Sequence, residues 1–198
     1  MLDPLLRRWI DPSLDRAGAW LARRDMSANA FSLAGLAIGL AVIPLLALGR
    51  YDMALLVILL NRLIDGLDGA IARHKGTTSF GGYLDIMCDM GFYAAVPIGF
   101  ALAQPGNALW AALLLAAFVC TASSFLGRAV LAAQRGEPDG GARGLKSFFH
   151  AAGFVEGTET IIAFVLFCLF PAGFPWLAGV FAGLCFWTAI ARVLEAKR

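Results

Sequence analysis

The chain has 198 residues, 60% of them hydrophobic and only 15% charged, with a mean hydropathy of +0.74 and a formal net charge of +2. A soluble domain carries about 25% charged and 45–50% apolar residues, so this composition excludes an ordinary soluble enzyme and a disordered chain alike. Roughly 119 residues are hydrophobic, enough for about six spans of about 20 residues each. Little is left over for a separate soluble domain.

In chain order, Leu5, Leu6, Trp9, Ile10, Leu14 and Trp20 alternate with Arg7, Arg8, Asp15, Arg16, Arg23 and Arg24. This pattern predicts an amphipathic helix over 1–25 lying in the membrane interface, tryptophans at headgroup level and arginines toward anionic lipid. A signal peptide would have a shorter charged leader and an earlier apolar core, so the first span is expected to be retained. Apolar segments follow at 29–48, 53–72, 82–103, 108–132, 147–170 and 174–193. The expected fold is therefore an all-α integral membrane protein: an interfacial helix over 1–25 and a domain of six transmembrane helices over 26–198.

The basic residues set the orientation. The leader, the second-to-third loop (Arg73, Lys75), the fourth-to-fifth loop (Arg135, Arg143, Lys146) and the tail (Arg192, Lys197, Arg198) hold thirteen, against Arg50 alone on the other side. Such a bias places both termini in the cytoplasm, and in a bacterium that means the inner membrane. No basic run is long enough for nucleic-acid binding. Cys88, Cys120, Cys168 and Cys185 all fall in apolar stretches without metal-ligand spacing and read as core or lipid-facing residues.

Two spans break the apolar rule. The second carries Asn61, Arg62, Asp65 and Asp68, and the third carries Asp85 and Asp89. An ionisable residue near the bilayer centre costs about 2.5–3.5 kcal/mol, so such residues face a polar interior and mark function. Asp65 and Asp68 share one helix face, as do Asp85 and Asp89. A short loop favours antiparallel neighbours, so the four carboxylates are expected to meet at two matched levels. Bare carboxylates at such range repel by several kcal/mol per pair at a dielectric near about 20. Two divalent cations would neutralise them, and all-oxygen ligation selects Mg²⁺ or Mn²⁺. Two metals at one site suit phosphoryl chemistry. Gly66, Gly69, Gly81 and Gly82 leave room for close packing or a ligand. The alternatives are aspartates that merely pair with Arg62, Arg73 and Arg128, and a divalent-cation transporter; the absence of discontinuous helices and a visible internal repeat weighs against the transporter.

With its spacing the segment reads Asp65-x₂-Asp68-Gly69-x₂-Ala72-Arg73-x₇-Gly81-x₃-Asp85-x₃-Asp89. It resembles the signature of the CDP-alcohol phosphotransferases, membrane enzymes that make phospholipid headgroup linkages. The resemblance implies that Asp65, Asp68 and Asp85 are metal ligands and that Asp89, also close to the metals, is the general base. It further implies that Gly69, Ala72, Arg73 and Gly81 attend the cytidine and diphosphate of the donor. Ala28-Asn29-x-x-Ser32 is similar to a Pro-Asn-x-x-Thr element of the family's nucleotide site, with Ala28 in place of the proline. The implied reaction moves a phosphatidyl group from a CDP-linked donor, foremost CDP-diacylglycerol, to an alcohol hydroxyl with release of CMP; a small CDP-alcohol donor with a lipid acceptor is the alternative. The resemblance also implies a homodimer.

The acceptor is read from polar groups outside the signature. Arg128 in span four and Lys146 at the start of span five, with His150 one turn on, suit an anionic acceptor or the donor phosphate. Glu156 and Glu159 suit a cationic amine, or else form a buried ion pair with Arg128 or Arg62. The Glu156-Gly-Thr-Glu159-Thr stretch resembles a little-characterised bacterial branch of the family.

Overall fold

The computed structural model describes residues 3–136 and 155–197, with side chains from Pro12 onward, and these residues are helical with short connections. The helices are α1 (Asp3–Arg23), α2 (Ala28–Gly39), α3 (Val42–Ala47), α4 (Tyr51–Lys75), α5 (Ser79–Ala103), α6 (Ala108–Gln134), α7 (Gly157–Leu169) and α8 (Phe174–Ala196). Single 3₁₀ turns at Pro105–Asn107 and Pro171–Gly173 lead into α6 and α8.

Among the described residues, four stretches are long and apolar enough to cross a membrane: Ala28–Ala47, Ser79–Ala103, Pro105–Gln134 and Pro171–Ala196. The other two expected spans differ for different reasons. α4 has 25 residues, but Arg62, Asp65, Asp68 and the basic end Arg73-His74-Lys75 make it too polar to pass on composition. α7 has 13 residues, about 20 Å at about 1.5 Å per residue, and the expected 147–154 portion of that span lies outside the described residues.

The first span is a broken helix. Pro44 has no N–H to offer the carbonyl of Leu40, so the chain tightens there, with Ile43 N–H donating to Leu40 O at 3.2 Å. α2 packs against both α4 and α5, and α3 against α5, while the α4 and α5 backbones stay apart and meet through their side chains. The expected antiparallel pair therefore diverges around α2. The connection is short as anticipated: Gly76 turns the chain at φ +98°, and Thr78 caps α5, its Oγ1 accepting from Gly81 N–H at 3.0 Å.

α6 and α8 form the most extensive helix pair. An aromatic cluster fills the centre of the bundle, with Phe100 stacked on Phe174 at 4.3 Å between centroids and Phe164 set edge-on to Phe92 and Tyr93. Cys88, Cys168 and Cys185 are buried and Cys120 is exposed, all as free thiols.

α1 lies along α4. A Cβ at Gly18 would sit 2.5 Å from Ala70 Cβ and 2.9 Å from its backbone carbon, so only glycine permits this approach. Asp25 turns the chain from α1 to α2 at φ +59° and pairs with Lys75, whose ammonium holds the Asp25 carboxyl below the usual carboxylate range.

Glu156 and Glu159 do not sit in mid-helix as the span boundaries had them. Glu156 is the N-cap of α7 and Glu159 its third residue, and they form a reciprocal capping box in which Glu159 Oε2 accepts from Glu156 N–H at 3.1 Å. Their carboxylates stabilise a helix start, a role available to glutamate at this spacing but hidden while the helix was taken to begin ten residues earlier.

Two stability effects follow. Gly18→Val should cost about 1–3 kcal/mol by overpacking against the α4 backbone, read as a lower Tm of the purified protein in detergent. Glu159→Ala should cost about 1 kcal/mol through the lost cap, whereas Glu159→Gln, which keeps an acceptor, should lose less in the same assay.

Candidate metal and phosphate site

The signature aspartates project from α4 and α5 into a cavity of about 600 Å³ bounded by α4, α5, α6, α7 and α8, with Leu14 of α1 closing one side. Carboxylate oxygens of Asp65, Asp68 and Asp85 all lie within 4.8 Å of one another. Three converging hard oxygen donors at this range match the coordination of a divalent cation such as Mg²⁺ or Mn²⁺. An acidic cluster able to hold a divalent metal is thus present.

The helices deliver these groups through spacing and capping. Asp65 and Asp68 stand one turn apart on α4, and Thr78 starts α5 so that Asp85 and Asp89 fall on its second and third turns. Ser32 of α2, itself buried, donates its hydroxyl to Asp68 Oδ2 at 2.7 Å. Asn29 lies one turn before it, and a Cβ at Gly81 would meet Asn29 Oδ1 at 3.2 Å. The Ala28-Asn29-x-x-Ser32 element therefore lies beside the signature.

The fourth carboxylate is held differently. Asp89 Oδ1 accepts from Arg62 Nη2 at 2.8 Å, and Arg62 Nη1 lies 3.5 Å from Asp65 Oδ2. Simple charge pairing is thus correct for Arg62. Arg73 instead turns toward α1, with Nε 3.7 Å from Asp15 Oδ1, and His74 Nε2 is 3.3 Å from the same oxygen. From that tether Arg73 lines the cavity together with Gly69.

Other anticipated residues scatter. Ala72 is half-buried on α4, and Gly81 stands at the start of α5; neither lines the cavity. Arg128 is half-buried on α6 and is also absent from the cavity wall. Glu156 lines the cavity and Glu159 does not. Lys146 and His150 lie outside the described residues.

Sequence reasoning missed Arg192. It counted as part of the basic tail, yet it lines the cavity from α8, donates from Nη1 to Thr121 O at 3.4 Å, and stands 5.9 Å from the Phe125 ring. Its Nε is buried with no hydrogen-bond partner among the described residues. Thr121 and Tyr93 line the same wall. An arginine near a helix end carries no signal that separates a cavity residue from an orientation signal.

Comparison with known proteins agrees with this geometry. The Escherichia coli (strain K12) Inner membrane protein YnjF is 50% identical over 194 residues, covering 98% of this chain and 94% of its own length. Archaetidylinositol phosphate synthase of Pyrococcus horikoshii is 29% identical over 196 residues, covering 98% and 95%. The fold matches the crystal structure of Mycobacterium tuberculosis phosphatidylinositol phosphate synthase (PgsA1) with CDP-DAG bound, at TM-score 0.65 and 22% identity over 92% of each chain. The sequence profile of CDP-alcohol phosphatidyltransferases matches residues 25–193, which takes in the cavity-lining residues of α4 to α8. With the signature aspartates converging on one cavity and the profile running through the whole bundle, this chain belongs to the CDP-alcohol phosphatidyltransferase family, membrane transferases of phospholipid biosynthesis.

Proposed function

We propose that the protein transfers a phosphatidyl group from CDP-diacylglycerol to the hydroxyl of an anionic alcohol, releasing CMP. The observation that carries this reading is the convergence of Asp65, Asp68 and Asp85 at the wall of a cavity inside an apolar bundle. The CDP-DAG named with the similar PgsA1 structure and the name archaetidylinositol phosphate synthase support a CDP-linked lipid donor.

Asp65, Asp68 and Asp85 would hold the divalent cations, Mg²⁺ or Mn²⁺, with Asp89 close by. When bound, these ions neutralise charge on the diphosphate and its leaving group. Ser32 orients Asp68 through the 2.7 Å bond. Asn29, Gly69, Ala72, Arg73 and Gly81 serve the donor side, where Arg73 is held near the cavity by Asp15. Asp89 takes the proton of the acceptor hydroxyl, and the oxygen attacks the phosphorus farther from cytidine. Positioning and electrostatics supply most of the catalysis in such transfers.

For the acceptor, Arg192 supports an anionic group: a guanidinium at the cavity wall suits phosphate or carboxylate. Arg128, Lys146 and His150 remain proposed helpers, and Glu156 and Glu159 are better explained by their capping box than by an acceptor amine. The remaining architecture is also proposed. α1 lies in the membrane interface within a segment 1–25, and α4 and the segment ending in α7 complete six spans over 26–198. Both termini face the cytoplasm of a bacterial inner membrane, and the protein works as a homodimer.

Purified protein with Mg²⁺ or Mn²⁺ should release CMP from CDP-diacylglycerol when glycerol 3-phosphate, inositol phosphate, serine and amino-alcohols are screened, and EDTA should stop it. CMP release only from a small CDP-alcohol with a lipid acceptor would reverse the substrate roles. No release from any donor, with cation flux in liposomes, would replace the enzyme by a transporter. Asp68→Asn and Asp89→Asn should each abolish release while the circular dichroism spectrum stays helical. Arg192→Gln should raise the acceptor KM by about tenfold or more, the effect of about 1.4 kcal/mol or more of lost charge-assisted bonding, with little change in donor KM.

A further inference from the structure

Arg62 lies outside the signature, one turn before Asp65, at the cavity wall, and its guanidinium is held by several neighbours. Nε and Nη2 both donate to Asn61 Oδ1, at 2.9 and 2.6 Å. Nη2 also donates to Asp89 Oδ1 at 2.8 Å, and Nη1 stands 3.5 Å from Asp65 Oδ2. The Phe92 and Tyr93 rings lie 4.8 and 5.5 Å from the guanidinium carbon. Asn61 is buried and is fixed in turn by donating Nδ2 to Gly35 O at 2.8 Å. Gly39 packs against the same pair, since a Cβ there would stand 2.8 Å from Asn61 Nδ2 and 2.7 Å from the Phe92 ring.

A counter-ion that only offsets charge has no use for this support. An ammonium would supply the same charge without a fixed direction, whereas a guanidinium backed by an amide and two rings holds its partners in one geometry. The chain of support runs from the α2 backbone through Asn61 to Arg62 and ends on Asp89.

We propose that Arg62 is the positioning residue for Asp89, with Asn61 as its support. The inference rests on the reading of Asp89 as the base. Arg62 Nη2 occupies Oδ1, so Oδ2 is the oxygen left for the acceptor. The acceptor O–H breaks with its proton passing to Asp89 Oδ2, the freed oxygen pair forms the new P–O bond, and the bond to the CMP oxygen breaks with its electron pair leaving on CMP. Arg62 touches neither phosphorus nor hydroxyl; it fixes the direction from which Oδ2 receives the proton, a geometry to which transfer rates are steeply sensitive.

The test uses the full-length protein in detergent, with CMP release from CDP-diacylglycerol to whichever screened acceptor the wild type uses, and Mn²⁺ binding followed by electron paramagnetic resonance. Arg62→Lys, which keeps the charge, should lower kcat by about a hundredfold, with the KM for CDP-diacylglycerol and the Mn²⁺ affinity within threefold of wild type. Asn61→Leu, which keeps Arg62 itself, should lower kcat in the same way by about tenfold and carries the test if Arg62→Lys does not fold. If kcat of both single variants stays within threefold, or if Mn²⁺ affinity falls as far as kcat, the inference is overturned and Arg62 is a scaffold of the bundle or of the metal site. A wild type that releases no CMP would instead overturn the enzyme reading, and the role of Asp89 with it.

Discussion

Mutual repulsion among carboxylates inside an apolar bundle is the constraint on which this structure turns. Four aspartates brought together where water is scarce would drive their helices apart unless each finds a partner. The protein answers with neighbours from three directions: the Ser32 hydroxyl on Asp68, the Arg62 guanidinium on Asp65 and Asp89, and a triangle of oxygens on Asp65, Asp68 and Asp85 that fits a divalent cation. These polar contacts hold the helices to one another alongside packing, because lipid tails give helices no hydrophobic reason to associate.

The same constraint accounts for the space. α2 packs between α4 and α5 and keeps their backbones apart, so the carboxylates converge at the wall of a hollow and not in a closed seam. The aromatic cluster around Phe92, Phe164 and Phe100 stiffens the far side of that hollow. A phosphate-bearing substrate entering it would meet charge already arranged, with little reorganisation left for the moment of reaction.

How much of this could be read from residues alone depended on whether the information was local. Asp65, Asp68, Asp85 and Asp89 were legible because their spacing fixes a helix face and because charge inside an apolar run has few explanations. Asn29 and Ser32 were legible only through a resemblance, since a serine or asparagine at a helix start reads equally as a cap. Arg192 and Asn61 were not legible: their roles depend on which distant helix lies opposite, Thr121 in one case and Gly35 in the other. The glutamates of α7 misled because an apolar run following them looks continuous with one preceding them, and hydropathy does not mark where a helix begins. The divergence of α4 from α5 was hidden for a related reason. A short turn fixes the order of two helices but leaves open what wedges between them.

Gly66 sits between Asp65 and Asp68, and the space it leaves is taken by Leu14, whose Cδ1 would be 2.7 Å from a Cβ at that position. The glycine between these two aspartates is therefore a socket for a side chain from another helix, and positions 14 and 66 share a single volume. A side chain added at 66 would require Leu14 to move aside, so a leucine in the leader is fitted to the helix that carries the carboxylates. A leader that looks, by composition, like a generic lipid anchor is in this respect an internal part.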